Sequence, residues 1–218
     1  MRDTISKEEL DHFLETLRRL ILDIEVCTNN IESIINAIKE NSLKISNIER
    51  FLIHYVYLAY SYCSVSIYKM FKSDEKRSFQ KLFNKLRDFQ YDEELKSLLH
   101  KNKISEKCEK LLTSKNDVKE VIMELERFIN DEQKVINKAL SRRNTFYAHY
   151  DPAKTDVPES LSDLLQIKEI AKRVYDNLSG GFYDRTFLFT SHYWSVKSVI
   201  SSNIALDDIY KKMEEDLD

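Results

Sequence analysis

The scarcity of glycine and proline constrains this chain more than any other feature. Only two residues of each type occur among 218. Tight turns and phosphate-binding loops depend on glycine, and many turns depend on proline, so β-sandwiches and glycine-dependent nucleotide folds need more of both. Long helices need neither residue. The composition therefore predicts an all-α protein, and no break in the sequence pattern divides residues 1–218 into more than one domain.

Charge and cysteine content restrict the class of protein. The net charge of −3 excludes a globally basic nucleic-acid binder, although a local basic groove remains compatible with it. Cys27, Cys63 and Cys108 are odd in number and widely spaced, which argues against a disulfide framework or a zinc site. The first ten residues also lack a secretory apolar core. We therefore expect a cytoplasmic protein.

Apolar residues recur every three or four positions along most of the chain, as in amphipathic helices. Pairing of Ser160 with Asp163 predicts a helix start, and Asn116 or Asp117 is the expected N-cap of the helix before it. Only 182–189 could form a strand. The predicted helices cover about 6–40, 46–71, 75–89, 92–101, 104–113, 117–150, 160–179, 190–200 and 204–216.

The segment 51–71, FLIHYVYLAYSYCSVSIYKMF, is long enough to span a bilayer. It contains His54, a lysine, three serines and five tyrosines, which a transmembrane helix rarely carries. We expect a buried helix at the centre of the core, with no membrane association. His54 is expected to be a core residue of this helix.

The helix predicted over about 117–150 has an unusual distribution of charge. On a helical wheel with Lys134 at zero, the apolar positions cluster at about 210°, and Arg143 falls near 180°, on the apolar side. Lys134, Lys138 and Arg142 form a basic ridge at about 0° to 80°, with His149 at about 60°. This ridge is either a track for RNA phosphates or a solvated face. A guanidinium on the apolar side needs a carboxylate, a carbonyl, an anion or a second subunit.

The residues RRNTFYAHYDP at 142–152 contain the side chains needed for RNA cleavage without a metal. His149 can transfer protons near neutral pH, Arg143 can stabilise charge on phosphorus, and Asn144 can orient the imidazole or a phosphate oxygen. In one straight helix, Arg143 and His149 diverge by roughly 120° and about 9 Å. Their meeting therefore requires a partner chain or an unwound helix end.

Arg143 and Asn144 are followed by four residues and then by His149, late in a long helix. This pattern resembles the motif of HEPN-domain ribonucleases. RRNTFYAHYD, followed by a polar loop and the LSDL helix, is similar to the AbiU2-like branch associated with abortive infection. The general pattern of helices is similar over most of the chain, but only residues 142–152 match a motif that is specific to the family. Many relatives have a regulatory tyrosine two residues after the histidine. Here that position is Asp151, so control by tyrosine modification is not implied.

The resemblance implies a HEPN-like bundle of long antiparallel helices with additional C-terminal helices. It implies a homodimer whose paired motifs form one composite cleft, with Arg143 and His149 as the catalytic pair and Asn144 as the supporting residue. The implied activity is metal-independent endoribonuclease cleavage of RNA, leaving a cyclic phosphate, with no cofactor. The usual setting is a toxin or phage-defence protein, for which an antitoxin protein is a further partner.

Two alternatives remain open at this stage. The first is a non-catalytic HEPN-like helical module for dimerisation, RNA binding or partner-protein binding, since fold does not determine activity. The second is a ligand-binding helical bundle with a pocket under the aromatic helix.

Overall fold

The computed structural model of the protein describes residues 3–41, 45–101, 112–143, 160–189 and 195–215. Helices dominate these ranges, which confirms the predicted all-α class. The helices are α1 (Lys7–Asn41), α2 (Glu49–Phe71), α3 (Phe79–Asp88), α4 (Glu93–Lys101), α5 (Lys115–Asp131), α6 (Gln133–Arg142), α7 (Leu161–Tyr183) and α8 (Lys197–Glu215). The predicted helix at 104–113 and the predicted helix end at 148–150 fall on residues outside the described ranges, apart from 112 and 113.

Four helices form a closed ring in which α1 contacts α2, α2 contacts α6, α6 contacts α7, and α7 contacts α1. Neighbours are antiparallel. Between α1 and α2, for example, Tyr62 donates to Asp23 and Asn30 donates to Tyr55. Fully buried side chains such as Ile21 and Ile24 fill the interior, and each contributes about 1.5–3 kcal/mol.

A buried ion cluster joins α1 to α7. Glu25 accepts from Lys172 at 2.6 Å and lies 3.2 Å from the Lys168 ammonium. Burial alone would raise the pKa of Glu25, but hydrogen bonds from Lys172 and Asn29, together with the Lys168 charge, bring it below its ordinary value. The carboxylate is therefore ionised, and the cluster is the main polar link across this interface.

The prediction of one continuous helix over about 117–150 is wrong. The helix is interrupted at Glu132, whose φ of −96° and ψ of 8° are not helical, so that α5 and α6 are separate. The residues before the break, Asn130 and Asp131, have side chains that compete with helical hydrogen bonding. Apolar spacing continues across the break, with Ile122 and Ile136 both fully buried, so the pattern did not reveal it.

Two predicted helix starts had different outcomes. Ser160 and Asp163 form the predicted capping box of α7. The expected N-cap of α5 at Asn116 or Asp117 is wrong, since Ser114 caps the helix and Asp117 is its third residue. Both helices thus begin with a serine hydroxyl and an aspartate that satisfy each other's backbone N–H groups.

The glycine pair at 180–181 does not end α7, contrary to expectation. The helix continues to Tyr183 and ends with Asp184 in the left-handed conformation at φ 48°. Gly181 packs closely on Leu112: a Cβ there would lie 2.7 Å from Cγ and Cδ1 of Leu112, so that side chain would have to shift. The predicted strand at 182–189 is also wrong, since 182–183 belong to α7 and 185–189 have no regular structure.

A short parallel pair, β1 (Thr4–Ile5) with β2 (Gln90–Tyr91), was not predicted, because two residues are too few to show alternation. At the other end of the chain, one or two helices were predicted over about 190–200 and 204–216, and the structure has one, α8, from Lys197. Ile200 of α8 belongs to a second, smaller hydrophobic cluster with Ile34 and Leu52, near the end of α1 and the start of α2.

The prediction that α2 lies at the centre of the core holds for only one of its faces. Cys63 and Ile67 are fully buried against the bundle, whereas an apolar stripe of Phe51, Leu58 and Tyr62 is 63%, 51% and 51% exposed. His54, expected in the core, is also exposed and stacks on Tyr57. Within the described ranges, no helix combines the length and apolar character needed to cross a bilayer.

Candidate active site at the end of α6

The end of α6 positions Arg143 beside α2. Ile136 and Ala139 are fully buried and hold α6 on the bundle, so the residues that follow face the C-terminal half of α2. Arg143 retains helical φ and ψ, and its N–H donates to the carbonyls of Ala139 and Leu140. Helical geometry therefore continues through Arg143. The helical wheel that placed Arg143 on the apolar side assumed this geometry.

The guanidinium of Arg143 contacts an aromatic ring, a partner that the sequence did not predict. Its guanidinium carbon lies 4.1 Å from the centroid of the Tyr68 ring, and both side chains are half-buried. Stacking satisfies the flat face of the guanidinium, while its N–H donors lie in the plane around the rim. Sequence reasoning missed Tyr68, although its place near the end of an aromatic helix was a usable signal.

Asn144 and His149, the other predicted catalytic residues, lie outside the described residues, as do Tyr150 and Asp151. Of the predicted trio, the structure therefore places Arg143 alone. The pairing of Arg143 with His149 stays a prediction.

The residues of the predicted basic ridge differ in exposure and in their partners. Lys134 is exposed and Arg142 is half-buried, whereas the Lys138 ammonium binds the carboxylate of Asp163 at 2.5 Å. Burial acts to raise the pKa of Asp163, but the Lys138 hydrogen bond and those from Ser160 bring it below its ordinary value. Lys138 therefore ties α6 to the start of α7, and its charge is largely neutralised. RNA binding by Lys134, Lys138 and Arg142 stays a prediction.

A polar hollow of about 520 Å³ lies where the end of α2 meets α3 and the break between α5 and α6. Leu140 lines it one turn before Arg143, and Phe71 lines it one turn after Tyr68. We call it the amide hollow, because Gln80, Asn130, Gln133 and Asn137 also line it.

A second hollow, of about 440 Å³, is relevant to the alternative prediction of a ligand pocket under the aromatic helix, α2. Its lining includes Cys27, Tyr55, Leu58 and Val65, and it opens along the outer side of α1 and α2. It is therefore a surface groove beside the exposed stripe of α2. A third, of about 580 Å³, is lined by cations including Arg19 and Arg77, but there Glu15 already binds Arg19 at 2.8 Å.

In the described part of the chain, histidine, cysteine, aspartate and glutamate side chains form no group of three or more that could bind a metal ion. No family model matches the chain, and no curated protein or solved structure matches it either.

Proposed function

We propose that the protein is a metal-independent endoribonuclease of toxin or phage-defence type, resembling the AbiU2-like HEPN proteins and acting as a homodimer. The observation that supports this is the placement of Arg143. Its guanidinium is stacked on the Tyr68 ring, with the guanidinium carbon 4.1 Å from the ring centroid. A guanidinium with a fixed plane suits recognition of a phosphate, because its N–H donors match phosphate oxygens in pairs.

The chemistry requires one group that moves protons and one fixed positive charge. The 2′-oxygen of a ribose attacks the adjacent phosphorus as its proton passes to a base, and the bond from phosphorus to the 5′-oxygen breaks as that oxygen gains a proton. The products are a 2′,3′-cyclic phosphate and a free 5′-hydroxyl. In this proposal His149 moves protons, Arg143 stabilises the charge on the phosphoryl oxygens, and Asn144 orients the imidazole.

A homodimer is part of the proposal because one straight helix would separate the two catalytic residues by roughly 120° around its axis. A partner chain can supply His149 to the Arg143 of its neighbour. The same arrangement makes the pair act together, so neither residue alone would retain substantial cleavage.

The first experiment measures cleavage of a mixed RNA pool by purified protein in EDTA. We expect Arg143→Ala and His149→Ala each to reduce the initial rate by at least about 10²-fold, the usual contribution of an oxyanion donor or a general acid–base group. Arg127→Ala is the matched control, because Arg127 is an exposed arginine on α5. Circular dichroism and thermal unfolding confirm that each variant is folded. Full activity of Arg143→Ala would refute the assignment.

A mixing experiment tests the composite site. Arg143→Ala and His149→Ala proteins are each inactive in the proposal, but a heterodimer holds one intact Arg143 and one intact His149. We expect mixing after subunit exchange to restore part of the wild-type rate if these two residues belong to the same site. A wild-type solution mass of one chain, or no recovery despite demonstrated exchange, would contradict a shared cleft.

The exposed stripe of α2 favours a second candidate, a non-catalytic helical module that binds a partner protein. Phe51, Leu58 and Tyr62 place large apolar side chains in solvent along about three turns of one helix, and contiguous patches of this kind mark interaction surfaces. Leu58→Glu tests the stripe. RNA that stays intact with wild-type protein, together with partner binding lost in Leu58→Glu, would favour the module over the nuclease.

A further inference from the structure

The outer sides of α1 and α2 together form one long surface. On a helical wheel, the side of α2 within about 40° of Phe51 consists of Phe51, Tyr55, Leu58, Tyr62, Val65 and Lys69. On the antiparallel α1, a sector of about 80° contains Thr16, Arg19, Asp23 and Cys27. The hydrogen bond from Tyr62 to Asp23, at 3.2 Å, joins the two sides near the middle. We call this surface the α1–α2 face, and from Phe51 to Lys69 it is about 27 Å long.

One half of the α1–α2 face is apolar and lies in solvent. Phe51, Leu58 and Tyr62 are each more than half exposed, and the groove of about 440 Å³ that Cys27 and Val65 line lies beside them. From residue 51 to residue 68, α2 has no lysine, arginine, aspartate or glutamate. Contiguous exposed apolar surface of this kind marks a place where another molecule binds.

The other half of the α1–α2 face is cationic. The hollow of about 580 Å³ is lined there by four permanent cations and two carboxylates, namely Arg19, Lys69, Lys76, Arg77, Glu15 and Glu75. Both oxygens of Glu15 accept from Arg18, and one of them also accepts from Arg19. Among the described residues, no carboxylate forms an ion pair with the other three cations. Positive charge is therefore in excess at this end, although the whole chain carries −3.

An apolar surface that ends in a group of cations is complementary to an amphipathic helix with acidic residues at one end. Such helices place apolar side chains three and four residues apart in a groove, and charges at the rim fix the orientation and select the partner. At about 1.5 Å per residue, a helix of about 18 residues covers the whole α1–α2 face.

A second copy of the chain is less complementary to this face. In an antiparallel pairing, the cationic half of each copy would lie on the apolar half of the other, where cations lose water without gaining a carboxylate. In a parallel pairing, the two cationic halves would repel each other. A membrane surface also matches less well, because the cations lie at one end of the face and the apolar half contains a groove.

We propose that the α1–α2 face binds an amphipathic helix of a partner protein, with the apolar residues of that helix on the exposed stripe of α2 and its acidic residues at the cationic end. The inference rests on the second candidate function, the partner-binding module, and it names the chemistry of the partner. It does not depend on RNA cleavage.

The test measures binding of two labelled synthetic helices by fluorescence anisotropy. Both peptides have about 18 residues with leucine every three or four positions. The first turn carries glutamates in one peptide and lysines in the other. We expect wild-type protein to bind the glutamate peptide at least about 10-fold more tightly, because like charges placed together at an interface are strongly unfavourable.

Variants of the protein test each half of the face. Leu58→Glu should weaken binding of both peptides by at least about 10-fold, the effect of losing one well-packed apolar contact. Lys69→Glu combined with Arg77→Glu should reverse the preference, so that the lysine peptide binds more tightly. Met123→Glu and Arg127→Glu are the matched controls, because both residues are exposed on α5. They should leave both affinities unchanged, and circular dichroism confirms that every variant is folded.

Several outcomes would overturn the proposal. Binding that depends on Leu58 but is equal for the two peptides would keep the stripe as a docking surface and refute an acidic partner. Absence of binding to both peptides would refute the whole assignment. A solution mass that falls from two chains to one in Leu58→Glu would show that a second copy covers the stripe. Binding to vesicles of anionic phospholipid, with none to the glutamate peptide, would assign the face to a membrane.

RNA cleavage measured on the same proteins separates this inference from the proposed nuclease. Leu58→Glu and the double charge reversal should cleave RNA at the wild-type rate. Preference for the glutamate peptide without any RNA cleavage supports the partner helix and refutes the nuclease. Cleavage that requires Arg143, without peptide binding, supports the nuclease and refutes the partner helix.

Discussion

Substitution of Glu25 by glutamine tests the buried ion cluster between α1 and α7. Lys168 is only 7% exposed, and the Glu25 carboxylate is the closest acid to its ammonium. Breaking a buried ion pair usually costs 3–5 kcal/mol, because one charge remains buried without a partner. Glu169, whose carboxylate lies 3.7 Å from Lys168 but is 66% exposed, offers partial compensation. We therefore expect a loss of about 2–4 kcal/mol, slightly below the usual range.

The measurement is urea unfolding at pH 7, supported by thermal denaturation. For a chain of this length the expected fall in Tm is about 5–15 °C, at roughly 2–4 °C for each kcal/mol. Glu32→Gln is the matched control, because Glu32 is exposed on the same helix, and its effect should stay within about 0.5 kcal/mol. An unfolding free energy of Glu25→Gln within that same margin of wild type would refute the reasoning.

Acid titration gives the same experiment a second readout. The pKa of Glu25 lies below its ordinary value of 4.5 in the folded protein, so the carboxylate stabilises the fold above pH 4.5 and loses this contribution as pH falls through the folded pKa. The stability gap between wild type and Glu25→Gln should therefore be constant from pH 7 to about 5 and shrink below 4.5. A gap that does not depend on pH would show that the charge of Glu25 is not its cause.

Two further predictions concern packing and the Arg143 site. Gly181→Ala should destabilise the protein by about 1–3 kcal/mol in urea unfolding, because its Cβ would overlap Leu112, and the same change made in a Leu112→Ala background should cost much less. Tyr68→Ala should lower the rate of RNA cleavage by about 3- to 30-fold, the value of one cation–π contact, whereas Tyr68→Phe keeps the ring and should stay near wild type. Equal effects of Tyr68→Ala and Tyr68→Phe would point to the hydroxyl instead.

The features of the fold that follow from local spacing were predictable. Apolar residues at three- and four-residue intervals identified α1, α2, α7 and the common apolar face of α5 and α6, and the Ser160–Asp163 pair identified the start of α7. These signals lie within one or two helical turns, where a residue's neighbours are fixed by the helix itself. For the same reason the wheel correctly placed Arg143 on the side that faces the bundle.

What the sequence by itself determined is therefore an all-α chain, its main amphipathic helices and the inward direction of Arg143. The tertiary structure alone decided that Tyr68 lies under this arginine, that Asp163 binds Lys138, and that Leu112 packs on a glycine inside α7. Each of these contacts joins residues at least 25 positions apart. Periodicity along one helix shows which face is buried, but only the packing of separate helices determines which side chains meet there.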